Sequence, residues 1–243
     1  VNLLRVWMRK EEIDPAKLAG GVAVVIDVLL ATTTMLTALD AGARRVIPAG
    51  SPEAVRQLRR QLGRGKYLIG GEDQGLPVDG FDCGPFPDEF GADSVQGRDV
   101  VFLSTNGTRA VHAARSAEVL TVACLRNVPA VARFLDTVDA PVTLICSGSA
   151  GRVSWEDSLC AAAILARLNR TERPLNDAAV LLKDWGSRLT DQWLEHLMKG
   201  RVGRWFMEHG RKETLRFAAR YGASETVPLL QDGSLTAPQT PIF

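Results

Sequence analysis

The sequence predicts an α/β fold with three layers, α/β/α, built on a mainly parallel or mixed sheet and followed by a mostly helical last third. Three observations carry this. Short apolar, β-branched runs alternate with helical patterns through the first two-thirds of the chain, the mark of βα units feeding a parallel sheet. Several of those runs, VAVVI above all, are apolar throughout, as strands covered on both faces are. Beyond Asn169 helical periodicity takes over until a short apolar piece at residues 227–230.

In chain order, strands are predicted over residues 3–7, 22–28, 45–48, 67–69, 100–104, 119–123 and 142–146. Helices are predicted over 33–40, 52–62, 108–116, 129–136 and 155–168, where apolar residues recur at three- and four-residue intervals, then over 178–198 and 213–221. Pro52 and Pro129 suit first helical turns. With neither a linker-like shift in composition nor an internal repeat, residues 1–243 read as one domain. The segment GGEDQGLPVDGFDCGPFPDEFG, residues 70–91, reads as a long irregular loop, which in a compact domain is often functional.

Composition excludes several classes. Lys and Arg number 29 against 28 for Asp and Glu, so the overall field favours neither nucleic acid nor an anionic membrane, and any anion selectivity must be local. No run approaches the roughly 20 apolar residues of a membrane span. VNLLRVWMRKEE lacks the order of a signal peptide, and the expectation is a cytoplasmic protein. Cys83, Cys124, Cys146 and Cys160 have no paired zinc spacing and are expected to be reduced thiols. His112, His196 and His209 form no metal pair, and neither G-x-S-x-G nor a strand-linked GxGxxG occurs. Trp185, Trp193 and Trp205 read as core or subunit-contact residues, and a symmetric homodimer is the expected assembly.

In parallel sheets ligands gather where strand carboxyl ends meet helix amino ends. Three segments have that form. VAVVIDVLLATTTML runs a strand into Asp27 and then offers Thr32, Thr33 and Thr34; Asp27 suits a turn or cap, and equally a ligand for a hard cation beside a phosphate. VVFLSTNGTRA sets Ser104, Thr105, Asn106, Gly107, Thr108 and Arg109 around one helix start, as a plain tight turn or as an anion seat. VTLICSGSAGRVSWEDSL ends a strand at Cys146 and reaches Arg152 through small residues, Gly148 among them; this C-x5-R spacing is that of cysteine phosphatases, while a buried strand-end thiol is the plainer reading. Ser154 and Asp157 match a capping box, and Glu156 or Asp157 could instead point at a metal.

Taken in order, VIDVLLATTT, GEDQGLPVDGFDCGPFP, STNGTRA and CSGSAGRVSWEDSLCAAAI resemble the signature segments of the 2-phosphosulfolactate phosphatase family of coenzyme M biosynthesis, and the resemblance extends to VGRWF and ETVPLL. It implies Mg²⁺ dependence and hydrolysis of a phosphate ester on a small anionic acid. On that reading Asp27, Glu72 and Asp157 are candidate metal ligands and Asp27 and Glu156 candidate catalytic groups. Thr33, Thr34, Asn106, Gly107, Thr108, Arg109, Gly148 and Arg152 are candidate substrate-binding residues. Cys146 stands as the nucleophile of a metal-free alternative.

The chain departs from the pattern that the resemblance implies: Leu30 stands where V-L-R-A-T would put an arginine, Asp73-Gln74 where G-E-R-G would put another, and Val202 where H-G-R would put a histidine. Each arginine–anion contact is worth about 1.5–3 kcal/mol, so two missing cations would lower affinity about a hundredfold or more. A divergent, non-catalytic anion-binding protein of the same fold is therefore the alternative from another class.

Overall fold

The computed structural model describes residues 2–61, 67–169 and 172–238. Its strands are β1 (Leu4–Trp7), β2 (Val22–Ile26), β3 (Arg45–Ala49), β4 (Tyr67–Gly71), β5 (Asp99–Leu103), β6 (Val119–Ala123), β7 (Val142–Cys146), β8 (Leu229–Gln231) and β9 (Ser234–Thr236). The helices are α1 (Ala31–Asp40), α2 (Pro52–Gln61), the single turn α3 (Ala92–Val95), α4 (Gly107–Ala113), α5 (Val128–Thr137), α6 (Trp155–Arg167), α7 (Asp177–Gly186), α8 (Trp193–Lys199), α9 (Arg201–Glu208) and α10 (Lys212–Ala218). One sheet of order β1-β7-β2-β6-β8-β9-β3-β5-β4 contains every strand.

The sheet has two parallel halves. In one, β2 lies between β6 and β7, with β1 outside β7; in the other, β5 lies between β3 and β4. The antiparallel β8–β9 hairpin joins them through single pairings, Thr121 with Leu229 and Val46 with Leu235. The sheet is thus mixed, and the joint is narrow. Pro48, which has no N–H to give, sits in β3 beyond the one residue that pairs with the hairpin.

Alternation along β2 explains why every residue in it is apolar. Val22, Val24 and Ile26 pack into one cluster with Leu159, Ile164, Val131 and Phe134 of α5 and α6. Ala23 and Val25 face a second cluster that gathers Met35 and Leu39 of α1, Ala110 and Val111 of α4, and Val46, Val100 and Phe102 of the other half. Helices therefore cover both faces of β2, the predicted three layers, and the second cluster holds the two halves together. Ile47, Ala49, Val101 and Leu103 meet Val55 of α2 in a third cluster.

Most strand boundaries fall within two residues of prediction. The predicted helix 52–62 ends at Gln61, and Leu62 lies outside the described residues. The predicted helix 178–198 is two helices, α7 and α8, and α9 was not foreseen as a separate element. Trp185 packs at 4.8 Å from Trp155, and Trp193 stacks at 4.2 Å on Tyr221, as expected of core residues. Trp205 is 44% exposed. Among the described residues no helix is long and apolar enough to cross a membrane.

Candidate active site

The chain leaves β2 for β3 through α1 on one face of the sheet and leaves β6 for β7 through α5 on the other, so the carboxyl ends of β2 and its neighbours form a topological switch point. Asp27 stands there, one residue past β2 and only 7% exposed. The backbone N–H groups of Ala31 at the start of α1 and of Gly107 at the start of α4 lie close to its carboxylate and favour its charged form. Gly107 is glycine for a steric reason: a Cβ there would lie 2.6 Å from Ala31 Cβ and 2.7 Å from Asp27 Oδ2. The close meeting of two helix starts on one carboxylate depends on that missing methyl.

α6 brings the next acids. Ser154 caps the helix by accepting the Asp157 N–H at 3.3 Å. Glu156 and Asp157 are 3% and 2% exposed. Asp157 Oδ1 accepts the Val28 N–H at 2.9 Å and Oδ2 the Gly148 N–H at 3.1 Å, which ties the ends of β2 and β7 together. Glu156 is held less firmly: its own backbone N–H and the Ser154 hydroxyl are near enough only to favour its charged form.

Burial, then the charges of Glu156 and Glu72, push the Asp27 carboxyl up to about 7 against the pull of its two N–H partners. Burial and the charges of Asp27 and Glu156 raise Asp157 well above the carboxylate range. Burial also raises Glu156, with Arg201 pulling it down. Buried acids that oppose one another's ionisation mark functional sites.

The remaining predicted residues have more local duties. Glu72 accepts three hydrogen bonds, from Thr105 N at 2.6 Å, Thr105 Oγ1 at 2.7 Å and Gly75 N at 2.6 Å. It clamps its loop to the β5–α4 turn, and its charge is felt at Asp27. The threonines expected to line an anion site are turned inward. Thr33 Oγ1 donates to Val28 O and Thr34 Oγ1 to Pro85 O, both at 2.7 Å, while Thr108 Oγ1 donates to Ser104 O at 2.9 Å. All three are 0% exposed, so hydroxyl contacts to a substrate are replaced by backbone ties that shape α1 and α4.

Arg109 is paired at 2.8 Å with Asp73, one of the departing residues. Leu30 and Val202, the other two, pack against the first core cluster. Gly148 has φ 70°, and a Cβ there would lie 2.8 Å from Arg152 O, so the turn Ser149–Arg152 closes tightly against it. Arg152 itself is exposed. Cys146 is the buried strand-end thiol of the plainer reading and not the nucleophile of the alternative: its side chain is 0% exposed within the first cluster, and burial, Asp157, Glu12 and Glu156 raise its thiol well above the usual value. Burial of this kind disfavours the thiolate that a cysteine phosphatase needs.

Sequence reasoning missed three cations. Lys10 Nζ donates to Asn106 Oδ1 at 2.9 Å, Arg9 Nη1 to Gly151 O at 3.0 Å, and Arg201 Nη2 to Ser149 Oγ at 2.7 Å. Arg9 and Lys10 follow the carboxyl end of β1 directly, a position the same strand-end logic would have flagged. Arg201 opens α9 and had no local signal. Among the described residues no three of His, Cys, Asp and Glu are gathered closely enough to enclose a metal ion by themselves.

Residues 7–233 match the sequence model of the family described as 2-phosphosulpholactate phosphatase. The chain is 37% identical over 226 residues to the probable 2-phosphosulfolactate phosphatase of Symbiobacterium thermophilum, covering 92% of this chain and 97% of that one. It is 34% identical over 222 residues to the protein so named in Caldanaerobacter subterraneus subsp. tengcongensis, covering 89% and 90%. A third relative so named, from Pseudothermotoga lettingae, is 34% identical over 209 residues, covering 86% and 88%. With the family model matched over residues 7–233 and relatives 34–37% identical over nearly the whole length, the chain belongs to the 2-phosphosulfolactate phosphatase family, named for a phosphoric monoester hydrolase.

Proposed function

We propose that the protein is a Mg²⁺-dependent phosphatase that hydrolyses the phosphate ester of a small anionic acid such as 2-phosphosulfolactate, giving sulfolactate and phosphate. The observation that carries the reading is the crowding of Asp27, Glu156 and Asp157 at the switch point, with Asp157 bonded to the ends of both β2 and β7 and Arg201 near enough to Glu156 to oppose the rise of its carboxyl.

The donor set suits a hard cation. It is made of carboxylate oxygens, its acids repel one another, and the nearby thiol of Cys146 is buried away. Mg²⁺ is commonly held by one or two carboxylates with water and phosphate oxygens completing the shell, so a closed cage of three side chains is not required. Asp27 and Asp157 would hold it, since each oxygen of Asp157 keeps a lone pair beyond the N–H it accepts. When bound, the ion supplies charge neutralisation for phosphoryl oxygens and relief of the repulsion among the acids.

The chain's own groups do the rest. The exposed guanidinium groups of Arg9, Arg152 and Arg201, with Lys10, supply the local positive charge that would draw a multiply charged ester to a protein of near-zero net charge. Asp157 fixes the relation of β2 to the Gly148 turn, and Gly107 and Ala31 fix the orientation of Asp27. Glu156, the least tied of the acids, takes the proton of the attacking water. Positioning and charge account for most catalysis of phosphoryl transfer, which is what such a site offers.

The test is phosphate release by the purified protein from 2-phosphosulfolactate and from phosphate esters that lack a second acid group, with Glu156→Gln alongside. The expected result is preference for the doubly acidic ester and a loss of about a hundredfold or more in kcat for the variant. No release from any ester, or full turnover by the variant, would overturn the reading.

A further inference from the structure

Of the cations around the site, Lys10 alone is sheltered. Its side chain is 18% exposed, whereas Arg9 and Arg109 are each 40% exposed and Arg152 and Arg201 stand in solvent. It is also anchored on both sides of Asp27. Its backbone N–H donates to Ser147 O at 3.3 Å, just past β7, the hydrogen-bonded neighbour of β2. Its ammonium donates at 2.9 Å to Asn106 Oδ1, and Asn106 precedes the Gly107 whose N–H holds the Asp27 carboxylate.

An ammonium has three N–H donors. One goes to Asn106 and one to Glu11 Oε1 at 2.9 Å. The third has no protein partner among the described residues. The ordinary alternative, a surface lysine paired to a neighbour, accounts for the Glu11 contact but not for the reach to Asn106, 96 residues away in sequence.

We propose that Lys10 binds substrate directly: its ammonium, held between the end of β7 and the cap of α4, takes an anionic oxygen of the phosphate ester with its remaining donor. This rests on the phosphatase reading above and names a substrate-contacting residue for it. Lysine suits the place because a compact point charge can serve two fixed acceptors and still turn a proton to a third. A contact of this kind stabilises bound ester and transition state alike, so its loss appears in KM more than in kcat.

Steady-state phosphate release with Mg²⁺ should show KM raised about ten- to a hundredfold in Lys10→Met, with kcat within a few-fold of the parent. Lys10→Arg should recover part of the loss, and Glu11→Gln should behave as the parent. Thermal unfolding of each variant establishes that it is folded. Should Lys10→Met not fold, Lys10→Gln, which keeps a hydrogen-bonding group near Asn106, replaces it with the same expectation. An unchanged KM in Lys10→Met, or an equal rise in Glu11→Gln, overturns the proposal. If the parent protein hydrolyses no ester, the phosphatase reading falls, and calorimetric titration with inorganic phosphate then decides the role of Lys10. Weaker binding by Lys10→Met than by the parent sustains it; equal binding, or none by the parent, overturns it.

Discussion

Gly107→Ala adds one methyl group at the point where the two halves of the protein meet over Asp27. The new Cβ would stand 2.6 Å from Ala31 Cβ, 2.7 Å from Asp27 Oδ2 and 3.1 Å from Asp27 Cβ. Carbon atoms in contact prefer about 3.5–4.0 Å, so roughly 1 Å must be found. Neither neighbour yields easily, because Ala31 opens α1 and Asp27 is tied to the Ala31 and Gly107 N–H groups. Gly107 has no positive φ, so alanine meets no backbone penalty and the effect is steric. Overpacking of this kind costs about 1–3 kcal/mol. For a domain of this size that lowers Tm by about 2–12 °C. A displacement of about 1 Å in a catalytic carboxylate costs about a hundredfold in turnover. Thermal unfolding and kcat/KM, measured side by side, read both effects. Gly91→Ala is the control, since Gly91 has φ −72° and nothing within 4 Å of an added Cβ. If Gly107→Ala matched the parent in both stability and activity, the close approach of α1, α4 and Asp27 would be wrong.

Two further outcomes follow from residues away from the acids' open side. Cys146→Ala should retain turnover within a few-fold and lose about 1 kcal/mol of stability, because the thiol is 0% exposed in the core; a folded variant with no turnover would restore the thiolate route. Asp99 is 2% exposed and pairs with Arg44 at 2.7 Å and Arg45 at 2.9 Å. Burial alone would raise its carboxyl, but the two arginines outweigh it and hold it below the usual carboxylate range. A lowered native value means stability that is present above the unfolded value and lost as pH falls through the native one. Asp99→Asn should therefore cost about 1–2 kcal/mol in denaturant unfolding near pH 7, discounted for the half-exposed arginines, and the difference should shrink towards strong acid; a difference that is constant with pH would contradict the ion-pair account.

Much of the fold was legible because its signals are local. Val22–Ile26 could only be a strand buried on both faces, and Trp155 after Ser154 marks a capped helix. The β8–β9 hairpin is also encoded in LLQDGSLT, where Asp232 and Gly233 take φ 47° and 75° in the turn, although the apolar piece predicted at residues 227–230 covers only its first strand. The break between α7 and α8 was hidden by apolar periodicity that continues across it. Within the candidate site, a strand end points to Asp27 and a helix start to Glu156 and Asp157, the three buried acids that the structure brings together. The threonines misled because a hydroxyl after a strand serves a substrate or the backbone equally well in sequence, and the tie of Thr33 to Val28 O is a matter of geometry. The contact between Lys10 and Asn106 spans 96 residues, and no local pattern encodes it.

The central claim is that the crowded carboxylates work with a divalent cation on a phosphate ester. Phosphate release from 2-phosphosulfolactate, followed in chelator and again after Mg²⁺ is restored in excess, tests it most directly. The account predicts that chelation abolishes release and that Mg²⁺ restores it; full activity in chelator would contradict it.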